Sequence, residues 1–359
     1  MTTMVAEMNK DYRRIIAASL ADRRDLFLMA SNRLGVPIQN IEKDFWVCWV
    51  LDLLFNERHK NEPRLLFKGG TSLSKAYSLI SRFSEDLDIT VFREDLGEHI
   101  TPAALEELSG KQQRIQLEKI KQACQSYIQG DLKKRLNQKM ESVFHEMSVP
   151  FTEPPVIIDL DDPSQKTLLI RYPSVNNDTH NYIKPMVKIE AGAKSALDPH
   201  QLAKIQPYIA TDLPTFNLIT SNVVTINPER TFWDKVIILH GLRRWFDRRG
   251  QLRQQGHRIS RHYYDLYKLI NSPIGQRAII DSSLALECAR HAKLFFNSTD
   301  LDLKTANPGS FSIVPTSQMQ TVLKQDYKAM TGMIFGEIPS FLDIVKTIEE
   351  LELSINQIK

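Results

Sequence analysis

Cysteine is scarce: Cys48, Cys124 and Cys288 are the only ones in 359 residues, an odd number with no CxxC spacing. That excludes a disulfide framework or a cysteine-held structural zinc and suits a reducing cytoplasm. Long apolar runs are missing too. Nothing approaches the roughly 20 residues a bilayer requires, and the amino-terminal MTTMVAEMNKDYRR carries charges where a secretion signal needs an apolar centre. The expectation is a soluble, cytoplasmic protein without membrane contact. Charge of one sign is also lacking. A formal net charge of +3 does not mark a nucleic-acid binder, so any basic patch has to be argued locally. There is no internal repeat, heptad run or low-complexity tract. What is left is an ordinary globular chain, 42% hydrophobic and 25% charged, long enough for two domains.

One stretch organises it, Phe67 to Thr90, FKGGTSLSKAYSLISRFSEDLDIT. Arg64 to Phe67 reads as a short strand running into Gly69-Gly70, where the backbone turns tightly and can approach a ligand. From Thr71, the residues Leu73, Ala76, Tyr77 and Ile80 recur at helical spacing, with Thr71 or Ser72 as the cap. The period then changes to two. Leu87, Ile89 and Val91 alternate with Asp86, Asp88 and Thr90, so both aspartates share one strand face. Adjacent carboxylates repel unless a divalent cation sits between them, and Mg²⁺ is commonly held by one or two carboxylates plus substrate phosphates. Asp-x-Asp also occurs on plain solvated strand faces, so the pairing with the glycine turn is what carries the functional reading.

The remaining segments are read in order. Met8 to Leu34 is expected as a helix ended by Gly35-Val36-Pro37, and a strongly apolar helix follows from Ile41, with Glu42-Lys43-Asp44 in its first turn. Asp95 to Pro150 reads as an inserted, highly charged helical pair with breakpoints at Gly110 and Gly130. Strands are expected at Pro155 to Leu160 and Thr167 to Tyr172, the aspartates between them serving the turn. In KPMVKIEAGAKS, Lys188 and Glu190 share a strand face. Beside the Asp86-Asp88 strand they would supply a triphosphate contact and a third metal carboxylate; elsewhere they would be a cross-strand ion pair. Asp198 to Ile226 reads as a crossing loop plus a short strand from Asn222, with a domain boundary at its end. Asn227-Pro228-Glu229 opens a helix to His240, on which Thr231 and Lys235 share a side. Arg243, Arg244, Arg248 and Arg249 then begin a basic loop with Trp245 and Phe246, suited to RNA backbone and stacking contacts. Arg261 and Asp265 lie one turn apart on the next helix, and helices fill the rest to Ile358.

These motifs, in this order, resemble the AbiEii family of nucleotidyltransferase toxins. Gly69-Gly70 followed by Asp86-x-Asp88 in RFSEDLDIT resembles its first motif, Lys188-Ile-Glu190 its second, the Lys235 helix its third, and Arg261 with Asp265 its fourth; Glu42-Lys43-Asp44 resembles a sequence ahead of the first. The resemblance implies an α/β (α+β) fold: a nucleotidyltransferase domain over 1–226, with a small mixed sheet, flanking helices and a helical insertion near 99–148, and a helical domain over 227–359 closing the nucleotide cleft. It implies transfer of NMP from an NTP with Mg²⁺, or Mn²⁺, and release of pyrophosphate, in growth arrest or phage defence, with tRNA as acceptor and a cognate antitoxin as partner. Asp86, Asp88, Lys188 and Asp265 would be catalytic. Asp86, Asp88 and Glu190 would hold metal. Gly69, Gly70, Thr71, Ser72, Lys75, Ser84, Lys188, Lys235 and Arg261 would bind nucleotide, and Arg243, Arg244, Arg248 and Arg249 would bind RNA. The competing readings are nucleotidylation of a protein or small molecule, and an inert nucleotide- or RNA-binding protein on the same fold.

Overall fold

A computed structural model describes residues 9–176 and 184–357. Met8 and Ile358, at the ends of two expected helices, lie outside the described residues. The chain divides into two compact units. The first contains the chain up to Ala76, Ser84–His99 and Arg114–Thr225; the second contains Tyr77–Phe83, Ile100–Gln113 and the chain from Ile226.

The elements run α1 (Lys10–Ala17), α2 (Leu20–Leu34), α3 (Ile38–Phe55), β1 (Leu65–Lys68), α4 (Gly69–Lys75) and β2 (Asp86–Val91). Then come α5 (Pro102–Glu106), α6 (Gly110–Tyr127), α7 (Lys133–Glu146), β3 (Val156–Ile158), β4 (Thr167–Arg171), β5 (Met186–Gly192), β6 (His200–Ile205) and β7 (Thr220–Ile226). The helices α8 (Pro228–Arg249), α9 (Ser260–Ile270), α10 (Pro273–Ile280), α11 (Ser282–Phe295), α12 (Ser317–Met330) and α13 (Phe341–Gln357) complete the described chain. The fold is a mixed α/β one, as expected, but its sheet is not small. Seven strands pair in the order β3-β4-β5-β2-β1-β7-β6. The central strand β2 runs antiparallel to β1 and parallel to β5.

Why α3 is the spine of the first unit follows from its composition. Every residue from Asn40 to Leu54 is buried, so the helix is enclosed on all sides. Trp46 stacks on Tyr172, with ring centroids 5.2 Å apart, and meets Trp49 edge-on at 5.3 Å. The helix begins at Ile38, so Glu42-Lys43-Asp44 lies inside it rather than in its first turn.

Several local expectations are corrected. The first helix breaks in two because Ser19 caps α2, its Oγ accepting from the Asp22 amide at 3.1 Å. The insertion is not a pair broken at Gly130: α6 passes into α7 through a π-helical turn, Ile128–Leu132, that contains this glycine. The loop after Asp198 contains the strand β6, which has only Ala203 and Ile205 buried and therefore lacks a strong apolar alternation. The helix α8 continues past His240 to Arg249, where Gly250 at φ 66° ends it.

Candidate active site

The register of the sheet assembles the site in the first unit. Asp86 pairs with Lys188 and Asp88 with Glu190, across parallel strands β2 and β5. Residues directly opposite share a face, so all four point to the same side, while Leu87, Ile89, Val187 and Ile189 are fully buried on the other. The same row continues on either side. Lys68 stands opposite Asp88 from β1, and Thr167 stands opposite Glu190 from β4.

Gly69 shapes the space beside Asp88. Its φ of +78° lies in the left-handed region, and a Cβ built there would stand 2.0 Å from Asp88 Oδ2. Only glycine lets the backbone lie against this carboxylate. Gly69→Ala is therefore expected to lower stability by about 1–3 kcal/mol and to displace Asp88; denaturant unfolding checks the first effect and Mn²⁺ titration the second.

Lys188 is ringed by acids. Its Nζ lies 3.1 Å from Glu190 Oε1 and 3.5 Å from Asp159 Oδ2. Partial burial works against its charge, but the hydrogen bond to Glu190 and the charges of Glu190, Asp86 and Asp159 outweigh this and hold the ammonium above its ordinary value. Asp159, read from sequence as a turn residue only, is thus also a neighbour of Lys188. The turn role belongs mainly to Asp162, whose carboxylate accepts from Ser164, Lys166 and Thr167.

Among the described residues, no group of three or more His, Cys, Asp or Glu side chains is arranged to hold a metal ion. The expected third carboxylate, Glu190, has the right register but is drawn into its pair with Lys188. Asp86 and Asp88, with the glycine cradle against Asp88, fit the smaller requirement of Mg²⁺, one or two carboxylates with the remaining ligands from water and phosphate.

Three other expected nucleotide ligands are committed elsewhere. Thr71 and Ser72 are 1% and 0% exposed. The Thr71 hydroxyl donates within a cluster with Ser84 Oγ and the Asp86 carbonyl, and the Ser72 hydroxyl donates to the Gly69 carbonyl at 2.9 Å, so both brace the glycine turn instead of capping a helix or facing a ligand. Lys75 points inward: Nζ lies 2.6 Å from Asp44 Oδ1 and 3.8 Å from the Tyr208 ring centroid. Burial opposes its charge, but Asp44 prevails and keeps the ammonium above its usual value. Gly69, Gly70 and Ser84 are half-buried.

In the second unit, Asp265 is fully buried and carries a bidentate ion pair with Arg82, at 2.7 and 2.8 Å, and a third bond from Lys235 at 2.8 Å. Burial would raise its carboxyl, but the two cations hold it far below the carboxylate range. Burial lowers the Lys235 ammonium, with Asp265 opposing the effect. Lys235 thus meets a carboxylate, not open solvent, and the expected nucleotide contact is replaced by an internal one. Thr231 is likewise buried, and Arg261 is half-buried. Arg82, which no spacing singled out, belongs to a segment that pairs with residues near Ile334: the Phe83 amide donates to the Met333 carbonyl at 2.7 Å and the Phe335 amide to the Ser81 carbonyl at 2.6 Å.

The four expected RNA-binding arginines lie on the last turns of α8 rather than on a loop, and their acids are more numerous than Asp247 alone. Arg243 and Arg244 reach Asp247 at 2.9 and 3.7 Å, Arg248 reaches Asp302 at 3.4 Å, and Arg249 reaches Asp300 at 2.6 Å. Arg249 and Arg253 lie 5.6 and 5.2 Å from the Trp245 ring centroid.

Glycine turn, paired aspartates and a neighbouring lysine define a nucleotidyltransferase arrangement, and comparison with known proteins agrees. The family described as nucleotidyl transferase AbiEii toxin, type IV TA system, matches residues 52–350. The chain therefore belongs to the AbiEii family of nucleotidyltransferase toxins of type IV toxin–antitoxin systems. Seven chains of solved structures also match. One is MenT4, nucleotidyltransferase toxin Rv2826c from Mycobacterium tuberculosis H37Rv, 14% identical, with a TM-score of 0.39 over 92% of this chain and 97% of that one. None of the curated proteins compared matches. Among the described residues, no helix is long and apolar enough to cross a membrane.

Proposed function

We propose that the protein transfers NMP from an NTP to the 3′ end of an RNA acceptor, tRNA above all, in a reaction dependent on Mg²⁺ or Mn²⁺. The observation that carries this reading is the register that sets Asp86 beside Lys188 and Asp88 beside Glu190, with Gly69 against the Asp88 carboxylate. Asp86 and Asp88 would hold the divalent ion, which when bound neutralises phosphate charge and orients the leaving group. Lys188 supplies a cation on the same face, and exchanging its carboxylate partners for a triphosphate preserves charge-assisted bonds. Glu190 and Asp159 hold that lysine in place. The backbone at Gly69-Gly70 admits close approach of phosphate. In the second unit, Arg261 stays with the nucleotide, while Lys235 and Asp265 act through the internal triad with Arg82.

The α8 arginines suit the RNA backbone because their carboxylate partners are partly exposed, and such surface pairs are weak enough to yield to phosphate. Replacing Arg248 and Arg249 together by glutamine should weaken RNA binding and flatten its log–log salt dependence by roughly two units. Filter binding across a salt series measures this. An equal loss of NTP affinity would move both arginines to the triphosphate.

The direct test incubates the purified protein with Mg²⁺, each α-labelled NTP in turn and total bacterial RNA, with Asp88→Ala alongside. Label in a tRNA-sized band, absent from the variant, is the expected result and names the donor base. Label in protein would change the acceptor, and no label despite NTP binding would replace transfer with binding alone. Family membership makes an antitoxin the expected cellular partner.

A further inference from the structure

Glu42, Lys43 and Asp44 are consecutive charged residues in the middle of α3, 2%, 5% and 3% exposed. They precede the family match, which begins at residue 52. Successive helical residues are about 100° apart, so three in a row on an enclosed helix must meet three different surroundings. Each of them does so with a charge satisfied. Glu42 accepts from Ser174 Oγ and the Val175 amide, both at 2.7 Å, which ties down the chain after β4. Lys43 Nζ donates to Glu85 Oε2 at 2.5 Å, and Glu85 is the residue immediately before Asp86. Asp44 accepts from Lys75 Nζ and the Tyr208 amide, both at 2.6 Å, and Lys75 closes the short helix that starts at Gly69.

Buried ion pairs are a poor source of net stability, because apolar groups of similar volume usually serve as well; their best-attested use is fixing one geometry. Here two of the three arms end one step from the site. One holds the residue next to a metal carboxylate. The other holds the helix whose first glycine lies against Asp88.

We infer that this turn of α3 is the positioning hub of the transfer site: the Lys43–Glu85 pair sets the Asp86-Asp88 carboxylates for the cation, and the Asp44–Lys75 pair sets the glycine turn for the triphosphate. The inference rests on the Asp86-Asp88 site proposed above. A residue that only stabilised the fold would affect both ligands alike; positioning arms affect them differently.

The experiment titrates the full chain with Mn²⁺ alone, read by electron paramagnetic resonance, and separately with inorganic tripolyphosphate alone, read by calorimetry. Lys43→Met should weaken Mn²⁺ binding about tenfold or more, as loss of outer-shell partners of metal ligands does, and leave tripolyphosphate nearly unchanged. Asp44→Asn should show the reverse ranking. Lys43→Arg should restore much of the Mn²⁺ affinity. Glu85 is partly exposed, so Glu85→Gln asks the first question again should Lys43→Met fail to fold. Equal losses for both ligands, or no loss in folded variants, would overturn the hub. Asp88→Ala separates the two levels: if it binds Mn²⁺ as well as the unaltered protein, the site assignment itself fails and the positioning roles fail with it. If it loses Mn²⁺ while Lys43→Met and Glu85→Gln keep it, only the hub is wrong.

Discussion

Asp88→Ala is expected to reduce nucleotidyl transfer by more than about a hundredfold, the scale on which preorganised charge at a reacting centre acts. Stability should move by no more than about 0.5 kcal/mol, as for exposed substitutions generally. Asp88 is half-buried at the edge of the glycine cradle and has a second carboxylate two residues away, so losing it relieves repulsion in the metal-free protein. Labelled-NTP transfer measures the first effect and urea unfolding the second. A folded variant with full activity would remove the metal role from this strand.

Asp265→Ala should behave in the opposite way, with an effect on stability of about 3–5 kcal/mol. The substitution would leave the Arg82 guanidinium and the Lys235 ammonium buried without their shared carboxylate. Against a total folding stability of about 5–15 kcal/mol, a loss of this size is conspicuous in a denaturant curve. The sign of the pH dependence follows from the depressed carboxyl. Its contribution is complete above the unfolded value near 3.9, and it disappears only as pH falls through the much lower folded value. Asp265→Asn, which keeps the shape and loses the charge, should remove this acid limb. A variant as stable as the unaltered protein would show that the two cations find other partners.

The contrast between these two aspartates shows what was legible in the sequence. Period-two alternation placed Asp86 and Asp88 on one strand face because a strand's sidedness is written in neighbouring residues. The same local logic found Lys188-x-Glu190, and the family resemblance joined the two strands. Long-range choices were not written locally. Nothing near Lys75 shows that it turns toward Asp44, or near Lys235 that it turns toward Asp265, since both depend on which carboxylate the fold brings within reach. Arg82 was unreadable for the same reason. The α8 arginines looked like a loop because charge density and nearby glycines obscured helical spacing, although Asp247 stands four residues from Arg243. Gly130 was read as a break because glycine weakens helices, yet the helix absorbs it in a π turn.

The pairing of Arg82 with Asp265 also bears on biosynthesis. Its partners are 183 residues apart in the chain, so at about 5–20 residues per second the guanidinium waits roughly ten to forty seconds for its carboxylate. By then β1, β2 and β5 have all left the ribosome. A product terminated before Asp265 contains Asp86, Asp88 and Lys188 but lacks the anchor for the segment between the glycine turn and the aspartate strand. Incomplete translation therefore yields chains that carry the reactive residues without the means to fix them.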